Sequence, residues 1–533
     1  MRQNENWRRI PLIGYYDNRT PKNNPHKGWY LHYYDNCLDV YHDKENPDDY
    51  LLDFPNFNHV YLRLGWAYLE PEEGKYNWDL LDDVIKRWWA HDRRAAFRIC
   101  TKETGPDQAY MVPKWVVDAG CKGEMTGFGG GPKTNFEPDY GDPVFLEKFN
   151  NFMKALGERY DGAPFLEYID IGSMGEWGEC HTEGTTERVW PVEVMKEHID
   201  MHTRHFKKTP VLYNYDMSAL RRTHDGTEEE LLNYAVQKGC GVRADSCCVN
   251  FYEDRYGVSS MHEPETFQPF YNVGPMDLEF GHYGGIKNKE PWGHGFPGIA
   301  SAYETYATFA GFHGYAREFL ADHPAYTLKL GHLLGYWYFP KTAYLPTKVR
   351  AGQRVSMAIS WENRGVSPCF YKYELYAKLR KKAAVPLSEG SGSGIDPCCS
   401  GGGLGAEPPL EQCGEVALLH LEECNNRKWE PKLVYDEIYS IRPPANLTSG
   451  EYELSIGLFE PNPENPKIPS GYTAPKPYPF PGRPIGIGLK ESLRDEDGFY
   501  RIGAVEISPF ENIPYEGVVN VEPLWPGHPK SQD

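Results

Sequence analysis

The sequence predicts a (β/α)8 barrel over residues 1–335 followed by a β-sandwich accessory domain over residues 336–533. Three observations carry this reading. Apolar strand-like runs alternate with helix-like runs through the first part of the chain. From about residue 338 the pattern changes to the two-residue alternation of antiparallel strands. The 533 residues also exceed the roughly 250–300 that one hydrophobic core organises.

Taken in order, an early strand falls near residues 27–31 and a second at 58–64 (NHVYLRL). Residues 79–90 (DLLDDVIKRWWA) space their apolar positions as an amphipathic helix, and 94–100 (RAAFRIC) form the next strand. A long helix covers 142–160, opened by Asp142 as cap and Pro143 in the first turn. Strands follow at 165–171, 209–215, 241–245, 275–280 and 312–315, with helices at 192–206 and 299–310. The strand count reaches eight, as a barrel requires. A doubly wound open sheet would place a glycine-rich phosphate loop after its first strand, and the sequence has none. In the second domain, 354–363, 370–378, 452–458 and 502–507 read as antiparallel strands. Residues 388–412, rich in glycine, and 461–484, rich in proline, read as surface loops.

Composition narrows the function. Acidic residues outnumber basic ones by 76 to 56, a formal charge of -20, which argues against a nucleic-acid backbone binder. Aromatics make up 14% of residues, including 14 Trp and 38 Tyr. Most are expected between barrel and helices, and some suit the CH and OH faces of a sugar. No run of about 18 apolar residues spells a membrane span. Residues 1–9 are polar, without the apolar stretch of a signal peptide. A chain whose leader had been removed would read the same, which leaves secreted, periplasmic and cytoplasmic locations open. The 12 cysteines include no C-x-x-C pair; Cys398, Cys399, Cys413 and Cys424 cluster closely enough for one or two disulfides, or remain free thiols.

The candidate chemistry sits at strand ends. Residues 167–181 (EYIDIGSMGEWGECH) run from a buried strand into glycines, carboxylates, an indole and an imidazole. That is how a barrel builds a polar site at its C-terminal face. Glu179 is the first choice there, with Glu176 as competitor; Gly172, Gly175 and Gly178 permit tight turns beside a ligand. The second carboxylate is Glu279, on the same strand face as Asp277 but nearer the mouth. Two carboxylates across a cleft supply the acid and the base or nucleophile of glycosidic hydrolysis. Burial and Trp177 are expected to raise the pKa of Glu179, and hydrogen bonds to keep Glu279 ionised. Structural pairing of Glu179 with Arg98 or Arg243 is the competing reading.

Arg63, Trp66, Arg98, Asn214, Asp216, Arg243 and Asp245 occupy other strand ends, and Trp177, His181, His282 and Tyr283 flank the two acids. These eleven are the candidate sugar-binding residues. His181, Glu179 and Glu176 offer metal-ligand atoms, but the 18 histidines form no H-E-x-x-H, and neither metal nor cofactor is expected. No G-x-S-x-G elbow or Walker loop is present.

Residues 66–78 (WAYLEPEEGKYNW) resemble the W-x-x-x-E-P-x-x-G-x-Y/F-x-W/F segment that follows the second strand in clan A glycoside hydrolases, a resemblance extending over about residues 22–335. It implies an acid/base after strand four, Glu179, and a nucleophile ending strand seven, Glu279. The sequence departs from the clan at Gly178, where an asparagine usually precedes the acid. The G-x-x-G-E form resembles the β-amylases, which invert. The whole arrangement is similar to a bacterial family of galactosidase-like barrels with a C-terminal β domain. The expectation is therefore a β-glycosidase acting on an oligo- or polysaccharide, a galactan or carrageenan-like glycan among the candidates, with retention favoured. The alternatives are an inverting enzyme and a non-catalytic carbohydrate-binding barrel. The β domain is expected to support the barrel rather than bind sugar, and the sequence leaves the oligomeric state open.

Overall fold

The computed structural model describes residues 7–34, 38, 46, 49–105, 107–219, 227–247, 266–288, 296–382, 415–463, 468, 472 and 478–510. Eight parallel strands close into a barrel: Gly28–His32, Phe57–Gly65, Arg94–Cys100, Leu166–Asp170, Val211–Asn214, Gly241–Cys247, Met276–Phe280 and Phe309–Phe312, the eighth pairing with the first. Helices pack outside. In Asp79–Trp89 the buried residues Leu81, Val84, Ile85 and Trp88 form one stripe facing the strands. In Pro143–Tyr160 the Asp142 carboxylate accepts from the backbone N–H groups of Val144 (2.9 Å) and Phe145 (3.1 Å), as its cap position predicts.

The eighth strand lies three residues earlier than the sequence indicates. Its preceding helix, Phe296–Thr305, ends because Tyr306 turns left-handed (φ 57°), which frees the apolar run after it to extend as strand. Along each strand alternate side chains enter the barrel. Tyr30, Tyr61, Ala96, Tyr168, Leu212 and Phe309 fill its middle as a distinct buried cluster. Residues one step nearer the C-terminal ends form the polar floor of the mouth.

The β domain is a sandwich. One sheet runs in the order Trp7–Pro11, Tyr338–Pro346, Val355–Asn363, Val434–Ile441. The other runs Lys348–Arg350, Tyr500–Ser508, Gly450–Glu460, Glu374–Lys381, Val416–His420, with Arg483–Ile485 beside Gly450–Glu460. Both faces share one core, in which the Trp361 and Trp429 rings stack at 4.4 Å. The N-terminal strand Trp7–Pro11 thus precedes the barrel in sequence but belongs to this sandwich. Of the clustered cysteines, Cys424 is a buried free thiol, and Cys398, Cys399 and Cys413 lie outside the described residues, as does the 388–412 loop. Among the described residues no helix is long and apolar enough to cross a membrane.

The two domains are joined under the barrel by a buried ion cluster. His26 Nδ1 lies 2.6 Å from Glu167 Oε1 and its Nε2 2.9 Å from Glu460 Oε1, while its ring stacks on Tyr371. Arg94 donates to Glu460 at 2.7 Å and lies 3.6 Å from Glu167. Asn58 donates to the remaining oxygen of Glu167 at 3.0 Å. Burial alone would push Glu167 up, but His26 and then Arg94 hold it down to about 2. Stability from this depressed carboxylate is complete above the unfolded pKa of about 4.3 and disappears as pH falls towards about 2. Arg94→Met, which strands Glu167 and Glu460, is expected to cost about 3–5 kcal/mol in urea unfolding at pH 7. The deficit relative to the parent protein should shrink steadily below about pH 4, where the carboxylates protonate in the unfolded chain; a deficit independent of pH would assign the effect to packing.

Candidate active site

The segment after the fourth strand is tightly bent. Gly175 (φ 74°), Trp177 (φ 55°), Gly178 (φ 74°) and Cys180 (φ 65°) all adopt left-handed backbone. Backbone bonds pin it: Glu176 N–H to His181 O (2.8 Å), Trp177 N–H to Lys102 O (3.1 Å), Glu179 N–H to Glu176 O (2.8 Å) and Cys180 N–H to Met174 O (3.0 Å). The bend aims Glu179 at the barrel axis. Gly178 explains the missing asparagine: a Cβ there would meet Gly172 O at 2.7 Å and Cys100 Sγ at 2.9 Å. This chain has no room for a side chain before Glu179.

Glu179 and Glu279 meet over two buried arginines. Arg98 on the third strand donates to Glu179 Oε1 at 3.1 Å and to Glu279 Oε2 at 3.4 Å, one nitrogen to each. Arg243 on the sixth strand pairs with Glu279 Oε2 through Nη2, which also lies 3.6 Å from Glu179 Oε1. Its Nε lies 3.5 Å from Asp170 Oδ2, which accepts from the Tyr61 hydroxyl. The other oxygen of Glu279 pairs with His313 Nε2; His32 Nε2 lies 3.5 Å from Glu279 Oε2, and the His32 and His313 rings stack at 3.8 Å. Both arginines are completely buried, so the carboxylates neutralise charges that water cannot reach. The structural pairing expected as a rival reading of Glu179 is present, and it involves both arginines within the site rather than in place of it.

The protonation of Glu179 differs from expectation. Burial does favour the neutral acid, but the His181 hydrogen bond and the Arg98 and Arg243 charges together hold Glu179 well below the usual carboxylate range. His181 moves the opposite way: burial disfavours its charge, yet Glu176 and Glu179 raise it well above the ordinary imidazole value. Below them, burial and the nearby Asp170 charge push Asp277 up to about 7, and Tyr168 donates to it at 2.8 Å. His32 is held low, by burial first and then by His313 and the arginines.

Other candidates divide. Arg63 lines the mouth with its Nε 3.7 Å from Glu103 Oε1. Asn214 is buried beside Asp216, whose N–H it accepts at 3.1 Å, and its amide nitrogen is buried with no hydrogen-bond partner. His282 stacks on His313 at 4.5 Å. Trp177 stands on the rim, its indole donating to Thr104 Oγ1 (3.2 Å) and its ring edge-on to Phe128 (5.2 Å). The side chain of Asp245 lies outside the described residues. Two expectations are corrected. Trp66 begins a helical turn that swings it out of the mouth into the helical layer, fully buried against Trp115, Phe145, Phe149 and Phe152, with its indole on Glu70. Tyr283 also opens a helical turn and turns outward to Phe319, its hydroxyl donating to Asp322 at 2.7 Å.

The residues missed by sequence reasoning are His32, Asp170 and His313. Each ends or follows a barrel strand, which was the available signal. Among the described residues, His32, Glu279 and His313 are the set with metal-binding spacing, their donor atoms within 4.8 Å of one another. Glu279 is already engaged by Arg98, Arg243 and His313, so a cation there would have to displace two guanidinium groups.

Glu176 is a brace. It accepts from the Thr185 hydroxyl at 2.5 Å and from the Gly184 N–H at 3.1 Å. Thr185 also reaches Glu137, which holds Lys102 at 2.6 Å. Glu137 belongs to a hairpin, Gly123–Thr126 with Asn135–Pro138, inserted after the third strand.

Among known proteins, the family model of glycoside hydrolase 42, described as beta-galactosidase, matches residues 51–189. The match spans the second to fourth strands and includes Arg63, Arg98 and Glu179. The chain is a glycoside hydrolase with a barrel of the clan A type. No curated protein matches it. Solved structures that overlap the hydrolase include the endo-1,4-beta-xylanase from Caldicellulosiruptor owensensis (12% identity, 54% of this chain, 85% of that one, TM-score 0.33). Native xylanase 10B from Thermotoga maritima overlaps at 10% identity (54% and 83%, TM-score 0.32). The exo-beta-1,4-mannosidase Op5Man5 from Opitutaceae bacterium strain TAV5 does so at 15% (61% and 58%, TM-score 0.36). Such overlaps are too shallow to speak to the hydrolase's substrate.

Gly178 gives a direct check of the bent segment. Gly178→Asn is expected to destabilise the hydrolase by about 1–3 kcal/mol and to lower turnover far more than that loss explains, because Glu179 is displaced. Turnover measured at a temperature where circular dichroism shows full folding separates the two effects.

Proposed function

We propose that this hydrolase cleaves β-glycosidic bonds in an oligo- or polysaccharide with retention of configuration, Glu179 acting as general acid/base and Glu279 as nucleophile. The observation that carries this reading is the shared pair of arginines. Two carboxylates bridged by one guanidinium nitrogen fit the close spacing of retaining enzymes, about 5–5.5 Å, better than the roughly 6.5–9.5 Å that leaves room for an inverting water. Arg98, Arg243 and His313 pair with Glu279 and orient it, as a nucleophile at the anomeric carbon needs. Arg63, Asn214, Asp216 and His282 surround the pair with hydrogen-bonding groups for sugar hydroxyls, and Trp177 offers a ring face at the rim. The beta-galactosidase description of the matching family model makes β-galactosides and galactans the first substrates to try, with carrageenan-like glycans next. The Arg94–Glu460 contact favours a supporting role for the β domain.

Glu179→Gln and Glu279→Gln are each expected to lower kcat by about 10³-fold or more on the substrate found by glycan screening, assayed where circular dichroism shows the variant folded, because each also leaves buried arginine charge unmet and lowers stability. Proton NMR of the first-formed product should show the β anomer. An α anomer would replace retention with inversion, and near-normal turnover in either folded variant would remove that residue from the mechanism.

A further inference from the structure

Two side chains from one short stretch stand in line behind the proposed acid, His181 against Glu179 and Glu176 against His181. His181 places Nε2 3.4 Å from Glu179 Oε2 and Nδ1 3.2 Å from Glu176 Oε2, so its ring spans two carboxylates. The side chain of the acid is nearly sealed, at 6% exposure, whereas that of His181 retains 16%. His181 is therefore the better connected of the two to water. The opposite oxygen of Glu179 is committed to Arg98, which leaves Oε2 as the oxygen able to carry a proton.

We propose that His181 is a proton-holding and positioning residue for Glu179: it keeps the proton that the departing glycosidic oxygen requires, and Glu176 fixes its ring. The proposal rests on the assignment of Glu179 as the acid. In the free site the proton resides on His181 Nε2, and Glu179 is a carboxylate paired with Arg98. As the bond to the leaving group lengthens, the proton passes to Glu179 Oε2 and from there to the glycosidic oxygen, which takes the C–O electron pair. Glu279 forms the new bond to the anomeric carbon. His181 is left neutral, its Nδ1 3.2 Å from Glu176 Oε2, and regains a proton from solvent.

The surrounding charges agree with this. Glu176 and Glu179 face His181 from its own loop, and Asp216 faces it from beyond the fifth strand, all three favouring imidazolium. Arg98 and Arg243 act from the third and sixth strands on Glu179 and favour its carboxylate. Behind Glu176, Thr185 and Glu137 lead to Lys102, which neutralises Glu137. The depressed Glu179 thus ceases to be a difficulty for an acid: the pair, not the carboxyl alone, holds the proton.

The test uses His181→Asn and His181→Gln in the full chain, with paired aryl β-glycosides of the sugar found by screening. One carries a dinitrophenol leaving group, which departs without protonation, and the other an unactivated phenol. The expected result is a loss of about 10²-fold in kcat/KM on the unactivated substrate, less than about threefold on the activated one, and an alkaline limb of the pH profile shifted to lower pH. Equal losses on both substrates with an unmoved alkaline limb would overturn the proposal and leave a structural or sugar-binding role. Glu179→Gln is assayed alongside: if it retains turnover of the unactivated substrate, the acid assignment itself fails, whereas an inactive Glu179→Gln beside a normal His181→Asn defeats only the role of His181.

Discussion

The structure depends on two arginine side chains with no access to water. Arg98 and Arg243 enter the barrel from the third and sixth strands and are completely buried. A buried guanidinium is tolerated only when its charge is met. Here Glu179, Glu279 and Asp170 meet it, and these carboxylates in turn are affordable at that depth only because the arginines are there. Neither half of the cluster can exist alone. The same mutual compensation fixes Glu179 and Glu279 relative to each other, and under the proposed roles this is the preorganisation that electrostatic catalysis requires.

Holding Glu179 in that cluster imposes a backbone cost, visible as four left-handed residues between Gly175 and Cys180. Two of them, Trp177 and Cys180, are not glycine. The strain is sustained by the backbone bonds across the bend and by the brace from Glu176 through Thr185 to Glu137. The hairpin carrying Glu137 therefore belongs to the support of the segment that carries Glu179. Removing the hairpin's ion pair with Lys102 would loosen the acid from a distance.

Much of this was legible in the sequence because barrel chemistry collects at strand ends. Arg98, Arg243 and Glu279 alternate with apolar neighbours on recognisable strands, so their inward direction followed from the two-residue period. Glu179 was recoverable from its glycines. Trp66 and Tyr283 were misread for one shared reason: each begins a helical turn directly after a strand, and the turn rotates the side chain into the helical layer. His32 and His313 escaped notice because they come from opposite ends of the barrel sequence; only closure between the first and eighth strands brings their rings together. The depressed Glu179 was beyond reach, since a linear pattern shows which charges exist but not which of them will face the acid.

The barrel interior also separates function from stability along its axis. At the bottom, Arg94 and His26 tie Glu167 of the barrel to Glu460 of the β domain. At the top, Arg98 and Arg243 organise the site. Between them lies a layer of Tyr30, Tyr61, Tyr168 and Phe309 rings, with Asp277 pushed up to about 7 by its burial and by Asp170. A layer of aromatic rings thus separates the two ion clusters. Tyr168 nonetheless touches both levels, accepting from His59 Nε2 at 3.2 Å and donating to Asp277 at 2.8 Å. Among the described residues it is a hydrogen-bonded link between His59 and the layer beneath the arginines. The domain contact can thus bear the load of holding the barrel shut while the charge balance at the mouth stays set by Arg98 and Arg243.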